Sequence, residues 1–225
     1  MLTRLLGQMV LWLAAVNMAA LVSSSPPAAA PAAGAVRIVA LGDSLTAGYG
    51  LAPGEALPTV IERLLKAGGQ NVEIANAGVS GDTTSGGLAR LDWAVPDGTD
   101  AVILALGAND MLTGQPVARA RANLEAIVKR LQARGIVVLL AGMRASRSLG
   151  DEYANAFDRI YPELAEAHGL LLYPFLLAGV ALDPALNQPD GIHPTAEGVR
   201  RIAEKMLPSV EQLIAKVRAR RQASR

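Results

Sequence analysis

The chain has 225 residues, of which 51% are hydrophobic and 18% charged, and its formal net charge is +1. This is enough for one compact domain with a substantial core, which is mainly aliphatic because only 4% of the residues are aromatic. The sequence contains no cysteine, so disulfides, a thiol nucleophile and a cysteine metal site are all excluded.

Residues 1–35 differ in composition from the rest of the chain and are predicted to be a signal peptide with a processing segment. Arg4 gives a positive start, residues 5–22 are mostly apolar, and residues 23–34 are small and rich in Pro and Ala. This order is typical of a secretory signal. It predicts an exported protein, periplasmic or secreted, with no stable membrane span once the signal is removed. The alternative is an uncleaved anchor, because the apolar run approaches the length that spans a membrane.

From residue 36 onward, short aliphatic runs alternate with segments of helical spacing. The aliphatic runs predict five strands, at residues 36–41, 72–75, 101–106, 136–141 and 170–173. The helical spacing predicts helices at residues 58–67, 88–93, 116–133, 152–168 and 195–218, with residues 78–87 as a loop. The helix at 152–168 is expected to be interrupted or kinked at Pro162. Aliphatic strands that alternate with helices indicate an α/β domain with a parallel sheet buried on both faces.

We assign residues 36–216 to this domain and residues 217–225 to a basic C-terminal tail, since no acidic residue follows Glu211. A basic helix end can contact anionic lipid. A solvated helix end whose positive side chains complement the helix dipole needs no partner, and we favour this simpler interpretation.

Ligand sites of open parallel sheets lie beyond the carboxyl ends of the strands. Loops at residues 42–50, 77–87 and 107–114 each follow a predicted strand, and residues 190–193 follow the fifth strand after an excursion. We therefore expect the four segments to meet on one rim. The sequence contains no Gly-rich phosphate fingerprint, no P-loop lysine and no metal-ligand spacing, so no cofactor or metal is predicted. Aromatic and basic residues do not interleave as a nucleic-acid surface requires, so no nucleic-acid partner is predicted.

A serine nucleophile needs a general base, and the base needs a partner that holds its ring. The chain has two histidines, and only His193 has an acidic residue, Asp190, three positions before it. Ser44 follows the first predicted strand, so its hydroxyl and backbone N–H are expected to face the rim. Two further residues follow strands there. Gly81 lets a backbone N–H approach a ligand, and the amide of Asn109 can donate to a developing oxyanion. Taken one at a time, these residues are typical of turns and helix caps.

Four sequence blocks occur together in this order: Gly42-Asp43-Ser44-Leu45, the glycine of Ser80-Gly81-Asp82-Thr83, Gly107-Ala108-Asn109-Asp110, and Asp190-Gly191-Ile192-His193-Pro194. Together they resemble the blocks of the SGNH hydrolases, also called the GDSL esterase and lipase family, over residues 36–216. Segments within residues 76–91 and 160–162 are similar to its subgroup of periplasmic acyl-thioesterases, lysophospholipases and arylesterases. The chain departs from the family pattern at Ala108, where many relatives have a second glycine, and at residues 144–150, which lack an expected proline.

The resemblance implies a flavodoxin-like, three-layer α/β/α sandwich with a five-stranded parallel sheet. It also implies roles for individual residues: Ser44 as the nucleophile, His193 as the general base and Asp190 as the acid that orients the base. The backbone N–H groups of Ser44 and Gly81 and the side-chain amide of Asn109 would form the oxyanion hole. The family pattern implies no cofactor and no metal.

The implied activity is that of a serine ester hydrolase that cleaves aryl and short-to-medium acyl esters, and also acyl thioesters, through an acyl-enzyme on Ser44. Lysophospholipids are a further candidate, so the expected partner is a small-molecule ester or thioester, or a lipid. One alternative is a carbohydrate O-deacetylase on the same scaffold. However, Trp93, the only tryptophan after residue 35, lies in a predicted helix and offers little aromatic platform. The other alternative is a catalytically silent α/β binding module, which would require a block to have decayed, and every block is present.

Six apolar residues lie in or beside the predicted site loops: Leu45, Met111, Leu112, Leu149, Pro189 and Ile192. Loop positions are usually solvated, so these side chains are predicted to bind an acyl chain or aryl group. The alternative is that they pack inward as ordinary core. The block aspartates Asp43, Asp82 and Asp110 are expected to hydrogen-bond to the local loop backbone rather than to transfer protons. His168 is expected to complement the dipole at a helix end.

Overall fold

The structure is a computed structural model that describes residues 34–224 of the chain. Its strands are β1 (Val36–Gly42), β2 (Val72–Gly78), β3 (Ala101–Ala105), β4 (Val137–Ala141) and β5 (Leu171–Tyr173). They form one sheet in the order β2-β1-β3-β4-β5, and each neighbouring pair is parallel. This is the strand order of flavodoxin-like doubly wound sheets, so the predicted fold class is confirmed. The predicted signal peptide lies almost wholly outside the described residues.

The centre of the sheet is buried on both sides. Every residue of β3 and β4 is buried, as their aliphatic sequences predict. The edge strands are less buried, and in β5 only Tyr173 is fully so. The register pairs Gly42, the last residue of β1, with Gly78 of β2 and Ala105 of β3. The chain therefore leaves these three strands at one level, and the loops that follow begin side by side.

Helices cover both faces of the sheet. Helices α2 (Leu57–Ala67) and α8 (Ala196–Ala223) pack against each other, and α8 also contacts β1, β3, β4 and β5. On the opposite face, α6 (Val117–Ala133) and α7 (Asp151–His168) pack against each other and against β4, and α3 (Thr84–Ala89) contacts α6. The shorter helices are α1 (Ser44–Ala47), α4 (Leu91–Ala94), α5 (Ala108–Leu112) and a 3₁₀ turn (Arg147–Leu149).

The segment after β2 becomes helical earlier than predicted. Helix α3 begins at Thr84, inside the predicted loop 78–87. The reason is a cap: the Thr83 side chain accepts a hydrogen bond from Gly86 N–H. Two glycines in α3 weakened the helical signal in the sequence.

Helix α7 runs through Pro162 without a break, so the predicted interruption there is wrong. A proline inside a helix removes one backbone hydrogen bond. The buried side chains of Phe157, Tyr161 and Leu164 lie on either side of it and hold the helix against the core, which outweighs the local penalty.

Helix α8 starts as predicted, after Thr195, whose hydroxyl accepts from Gly198 N–H. It continues to Ala223 rather than ending near residue 218. Its last turns are held by side chains that bind the amino end of the sheet, since Arg221 contacts Asp100 there. No helix within residues 34–224 is both long and apolar enough to span a bilayer.

Candidate active site

Ser44 lies where β1 turns into α1. The carboxylate of Asp43 accepts a hydrogen bond from Leu45 N–H at 3.0 Å and so caps the short helix that Ser44 begins. Gly42 lets this helix lie close to the sheet, since a Cβ there would be 2.0 Å from the hydroxyl oxygen of Thr46. Ser44 is half-buried at the carboxyl end of the central strands.

The loop between β5 and α8 brings His193 to Ser44. A distance of 2.9 Å joins His193 Nε2 to Ser44 Oγ. Asp190 holds the other ring nitrogen, with 2.7 Å between its Oδ2 and His193 Nδ1. Because an ionised carboxylate only accepts, Nδ1 carries the proton and Nε2 is left to accept from the serine hydroxyl. This is the arrangement that a nucleophile, its base and an orienting acid require.

Asp190 is kept ionised by its hydrogen bonds. Its carboxylate accepts from the His193 ring and from the backbone N–H groups of His193 and Ile192, the last two at 3.0 Å each. These bonds, the ring bond foremost, lower the pKa of Asp190 from 3.8 to about 2. A pKa below that of the unfolded chain stabilises the fold above about pH 4, and this contribution is lost as the pH falls toward 2.

Two residues that the sequence analysis missed fix the His193 loop. The Gln188 amide donates to the carbonyl oxygens of Tyr49, at 2.8 Å, and of Pro194, at 3.0 Å. It thereby ties this loop to the one that follows β1. The Tyr49 ring lies against the His193 ring, with centroids 4.6 Å apart. No local pattern marks the two contacts of Tyr49, because Gln188 and His193 each lie more than a hundred positions away from it.

Gly81 and Asn109 lie on the loops that follow β2 and β3. Gly81 has φ of +85°, and within residues 34–224 no heavy atom outside its chain neighbours lies within 4 Å of where a Cβ would stand, so open space adjoins its backbone. Asn109 donates one amide N–H to the Asp82 carbonyl oxygen at 2.8 Å, which leaves its second N–H for a ligand. Among residues 34–224, the backbone N–H groups of Ser44 and Gly81 find no hydrogen-bond acceptor.

The three block aspartates have different partners. Asp43 bonds to local backbone, as predicted. Asp110 is buried and accepts from the N–H and the hydroxyl of Thr84, each at 2.7 Å. Asp82 binds a side chain, with 2.5 Å between its Oδ2 and Arg90 Nε. The expectation of local backbone bonding is therefore wrong for Asp110 and Asp82, because the fold supplies hydrogen-bond donors from Thr84 of α3 and from Arg90, the residue that follows this helix.

Asp43 is a buried carboxyl beside the nucleophile, with 2% of its surface exposed. Burial raises its pKa from 3.8 to about 6, against the opposing effects of the Leu45 N–H and the nearby His193. A carboxyl with such a pKa is ionised at neutral pH only at a cost in stability.

Comparison with known proteins agrees with this geometry. A sequence profile of the GDSL-like Lipase/Acylhydrolase family matches residues 40–201. The chain belongs to this family. It is 37% identical over 169 residues to the arylesterase of Vibrio mimicus, covering 75% of this chain and 84% of that protein. It is 34% identical over 184 residues to thioesterase 1/protease 1/lysophospholipase L1 of Escherichia coli K12, covering 81% and 87%. The solved structure of AlinE4, an SGNH-hydrolase family esterase, matches with a TM-score of 0.68 and 46% identity over 79% of this chain and 96% of that one.

Membership in the GDSL-like lipase and acylhydrolase family confirms the resemblance seen in the four sequence blocks, and it makes the chain an ester hydrolase. The departure at Ala108 is accommodated in a simple way. Ala108 is the first residue of α5 and takes part of the buried core, whereas the positive φ of +117° falls on Gly107. The position that needs a glycine therefore still has one.

The apolar candidates of this GDSL-family chain are not equally available to a substrate. Leu45 and Met111 are half-buried and pack against the core, so the alternative of inward packing applies to them in part. Leu112, Leu149 and Ile192 have 52%, 41% and 46% of their surface exposed. These three follow β3, β4 and β5 and so share the carboxyl end of the sheet with Ser44.

Pro189 is also exposed, and it lines a groove beside the Asp190 loop. The same groove is lined by Leu182, which the sequence analysis missed. Leu182 is 92% exposed and has φ of +66°, a conformation that is unusual for a leucine. Leu182 lies between Ala181 and Asp183, and this sequence gives no sign that the leucine side chain is exposed.

His168 takes no part in the site. It is the last residue of α7, as expected, and the helix stops at Gly169, which adopts φ of +59°. The His168 ring lies 3.5 Å from Glu125. Within residues 34–224, no group of three or more potential ligand side chains is placed to hold a metal ion.

Proposed function

We propose that this chain cleaves carboxylic esters through an acyl-enzyme on Ser44. The observation that carries the proposal is the 2.9 Å contact between Ser44 Oγ and His193 Nε2, with Asp190 on the far side of the ring. Nε2 takes the hydroxyl proton while Oγ bonds to the acyl carbon and the carbonyl electron pair moves to oxygen. His193 then gives the proton to the leaving oxygen as its bond to carbon breaks. Water repeats these steps on the acyl-enzyme and releases the acid.

The developing charges have partners in this proposal. The backbone N–H groups of Ser44 and Gly81 and the second N–H of Asn109 stabilise the oxyanion, and support for this comes from their having no other acceptor within residues 34–224. Asp190 stabilises the imidazolium of His193, because its low pKa keeps it anionic whenever the histidine takes up a proton.

The proposed substrates have an aryl group or a short-to-medium acyl chain. The exposed side chains of Leu112, Leu149 and Ile192 offer apolar surface at the same end of the sheet as Ser44. The name of the Vibrio mimicus relative, an arylesterase, supports the aryl group. Acyl thioesters are a second proposed class and lysophospholipids a third, both supported by the name of the relative in Escherichia coli. A thiolate leaves more readily than an alkoxide and needs the same base and oxyanion donors.

A substrate panel tests the proposal. We expect kcat/KM for nitrophenyl esters and acyl thioesters to rise from acetyl to octanoyl and then to flatten or fall at palmitoyl. Each buried CH₂ contributes up to about 0.8 kcal/mol, but an open rim leaves part of the chain in water. A strict preference for acetyl groups on sugars, without activity on octanoyl esters, would replace this function by carbohydrate deacetylation.

A fluorophosphonate probe tests the residues. Peptide mapping should find the label on Ser44, and His193→Ala should lose both labelling and activity. Label on another serine, or full activity in His193→Ala, would contradict the assignment. If the wild-type protein is fully inactive and no peptide in the digest carries the label, the chain is a catalytically silent binding module.

We also propose that residues 1–35 are an export signal, that residues 36–216 are the hydrolase domain and that residues 217–225 are a basic tail. The composition of the first segment supports this. The full chain can be expressed in a bacterial host with a periplasm, and the N-terminus of the periplasmic protein sequenced. A mature N-terminus among residues 23–36 is expected, and an uncut chain in the membrane fraction would indicate an anchor instead.

A further inference from the structure

Arg90 is a charged side chain in the interior of the molecule. It lies between α3 and α4 and is only 7% exposed. Burying a guanidinium is unfavourable unless its N–H groups are paired. One of its nitrogens, Nη1, is buried and makes no hydrogen bond to any residue between 34 and 224. What its other nitrogens bind must therefore account for this costly position.

The other nitrogens of Arg90 bind two of the loops that carry the site. Nη2 donates to the Gly42 carbonyl oxygen at 2.9 Å, and Nε donates to Asp82 Oδ2 at 2.5 Å. Gly42 ends β1 two residues before Ser44, and Asp82 directly follows Gly81. Because the guanidinium is a planar, rigid fork, it holds the Ser44 loop and the Gly81 loop at a set separation.

Asp82 carries this connection to a third loop. Its carbonyl oxygen accepts the Asn109 amide at 2.8 Å. That bond sets the rotation of the amide plane, and with it the direction of the second N–H of Asn109. The contacts of Arg90 with Gly42 and Asp82, together with the contact of Asp82 with Asn109, thus join the segments at the ends of β1, β2 and β3.

We propose that Arg90 is a positioning residue for the oxyanion hole. The inference rests on the proposed function of Ser44, Gly81 and Asn109. Arg90 acts through Asp82: the ion pair holds Asp82 so that the Gly81 N–H and the Asn109 amide converge on the point that the Ser44 N–H also faces. Donor placement matters most when negative charge develops on the substrate oxygen, so the contribution of Arg90 falls on kcat rather than on KM.

Arg90→Lys tests the proposal while keeping the positive charge. An ammonium can reach Asp82 or Gly42 but cannot form the fork between them. For nitrophenyl butyrate we expect kcat to fall about 10- to 100-fold, with KM changed by less than about 3-fold. Fluorophosphonate should still label Ser44, because the nucleophile and its base are untouched.

Arg221 supplies a matched control. At the opposite end of the sheet it binds the Asp100 carboxylate at 2.6 Å and the Ala35 carbonyl oxygen at 2.9 Å, which are the same two kinds of acceptor. We expect Arg221→Lys to lower Tm and to leave kcat unchanged. A loss of kcat in Arg221→Lys equal to that in Arg90→Lys would show a general loss of packing and would overturn the positioning role.

A double-mutant cycle identifies the route. If Arg90 acts through the oxyanion donors, Arg90→Lys should lower kcat by a smaller factor in an Asn109→Ala background than in the wild type, because only the Gly81 N–H is then left for Asp82 to position. Equal losses in both backgrounds, or an effect on KM alone, would overturn the proposal. Should Arg90→Lys not fold, Asp82→Asn weakens the same ion pair and enters the same cycle. A wild-type protein with neither activity nor label on Ser44 would overturn the proposed function rather than this inference.

Discussion

The two ends of the sheet use the same polar chemistry with opposite results. At the amino end, Arg221 binds the Asp100 carboxylate and the Ala35 carbonyl oxygen just before β1. Asp100 also accepts the backbone N–H of Arg37 at 2.7 Å. These groups satisfy one another, and the helix that carries Arg221 closes this end of the sheet.

At the carboxyl end, Arg90 binds the Asp82 carboxylate and the Gly42 carbonyl oxygen that ends β1. Here the contacts fix the distance between the Ser44 loop and the Gly81 loop. Within residues 34–224, they leave the hydroxyl and N–H of Ser44, the N–H of Gly81 and one N–H of Asn109 available to a ligand. An arginine and carboxylate pair that stabilises the fold at one end therefore supports a reactive surface at the other, and the difference lies in which donors remain unused.

The largest effect should come from removing the nucleophile. Ser44→Ala is expected to lower kcat by at least about 10⁴-fold, because no acyl-enzyme can form, with Tm nearly unchanged. Ser85→Ala, which changes an exposed serine of α3, is the control and should keep full activity. Steady-state kinetics on nitrophenyl butyrate decide this, and substantial turnover by Ser44→Ala would place the chemistry elsewhere.

The next largest effect should come from an oxyanion donor. Asn109→Ala is expected to lower kcat by about 10²–10³-fold with little change in KM, because the donor matters most when charge develops. Asn155→Ala removes an exposed asparagine of α7 that binds Arg147 and should not change kcat. A change confined to KM would make Asn109 a substrate-binding residue.

The buried carboxyl of Asp43 should make the carboxyl end sensitive to pH. Its pKa of about 6 lies above the unfolded value of 3.8, so its contribution to stability is full below pH 4 and is lost as the pH rises through 6. This loss amounts to about 3 kcal/mol by pH 7. Asp43→Asn keeps an acceptor for Leu45 N–H and does not titrate.

Urea unfolding of Asp43→Asn and of the wild type between pH 4 and pH 7 measures the stability that is lost when the buried Asp43 carboxyl ionises. The variant should gain in relative stability as the pH rises. Asp97→Asn, at a fully exposed position, is the control and should parallel the wild type. Parallel curves for Asp43→Asn and the wild type would mean that the Asp43 carboxyl is not destabilised by burial.

Removing the Arg221 contacts at the amino end of the sheet should lower stability and leave kcat unchanged. Arg221→Ala is expected to lower the free energy of unfolding by about 1 kcal/mol, because the Arg221 side chain is part-exposed and solvent screens its ion pair. In a domain of this size that corresponds to a Tm lower by about 2–4 °C. Unchanged kcat is the other half of the prediction, and reduced kcat at a temperature well below Tm would contradict the separation between the two ends.

The smallest effect should concern the substrate chain. Leu112→Ser removes apolar surface from α5 at a position that is 52% exposed, so Tm should hardly change. We expect kcat/KM to fall about 3-fold for octanoyl esters. A half-exposed leucine buries only part of the surface of about one or two CH₂ groups, so only part of their burial energy is lost. The acetyl ester serves as the control within the same variant, and equal losses on both esters would remove Leu112 from the acyl surface.

Much of this architecture could be predicted from the sequence. The five aliphatic runs became the five strands, because a strand buried on both faces must be apolar throughout. The turn of Ser44 was also evident, since a glycine turn after an apolar run marks the carboxyl end of a strand. Asp190 and His193 were evident because only this histidine has an acidic residue three positions before it. Helix ends were less predictable where capping decided them, as Thr83 did for α3.

The strands, their parallel α/β arrangement and the residue types available at the rim can be derived from the sequence, because these depend on local composition and short-range order. Three features appear only in the folded chain: Arg90 joins Gly42 to Asp82, Tyr49 lies on His193, and α7 continues through Pro162. Each of these depends on side chains that are distant in sequence or on packing against the core. A local sequence pattern does not identify such partners, since the same arginine or tyrosine could equally lie on a solvated surface.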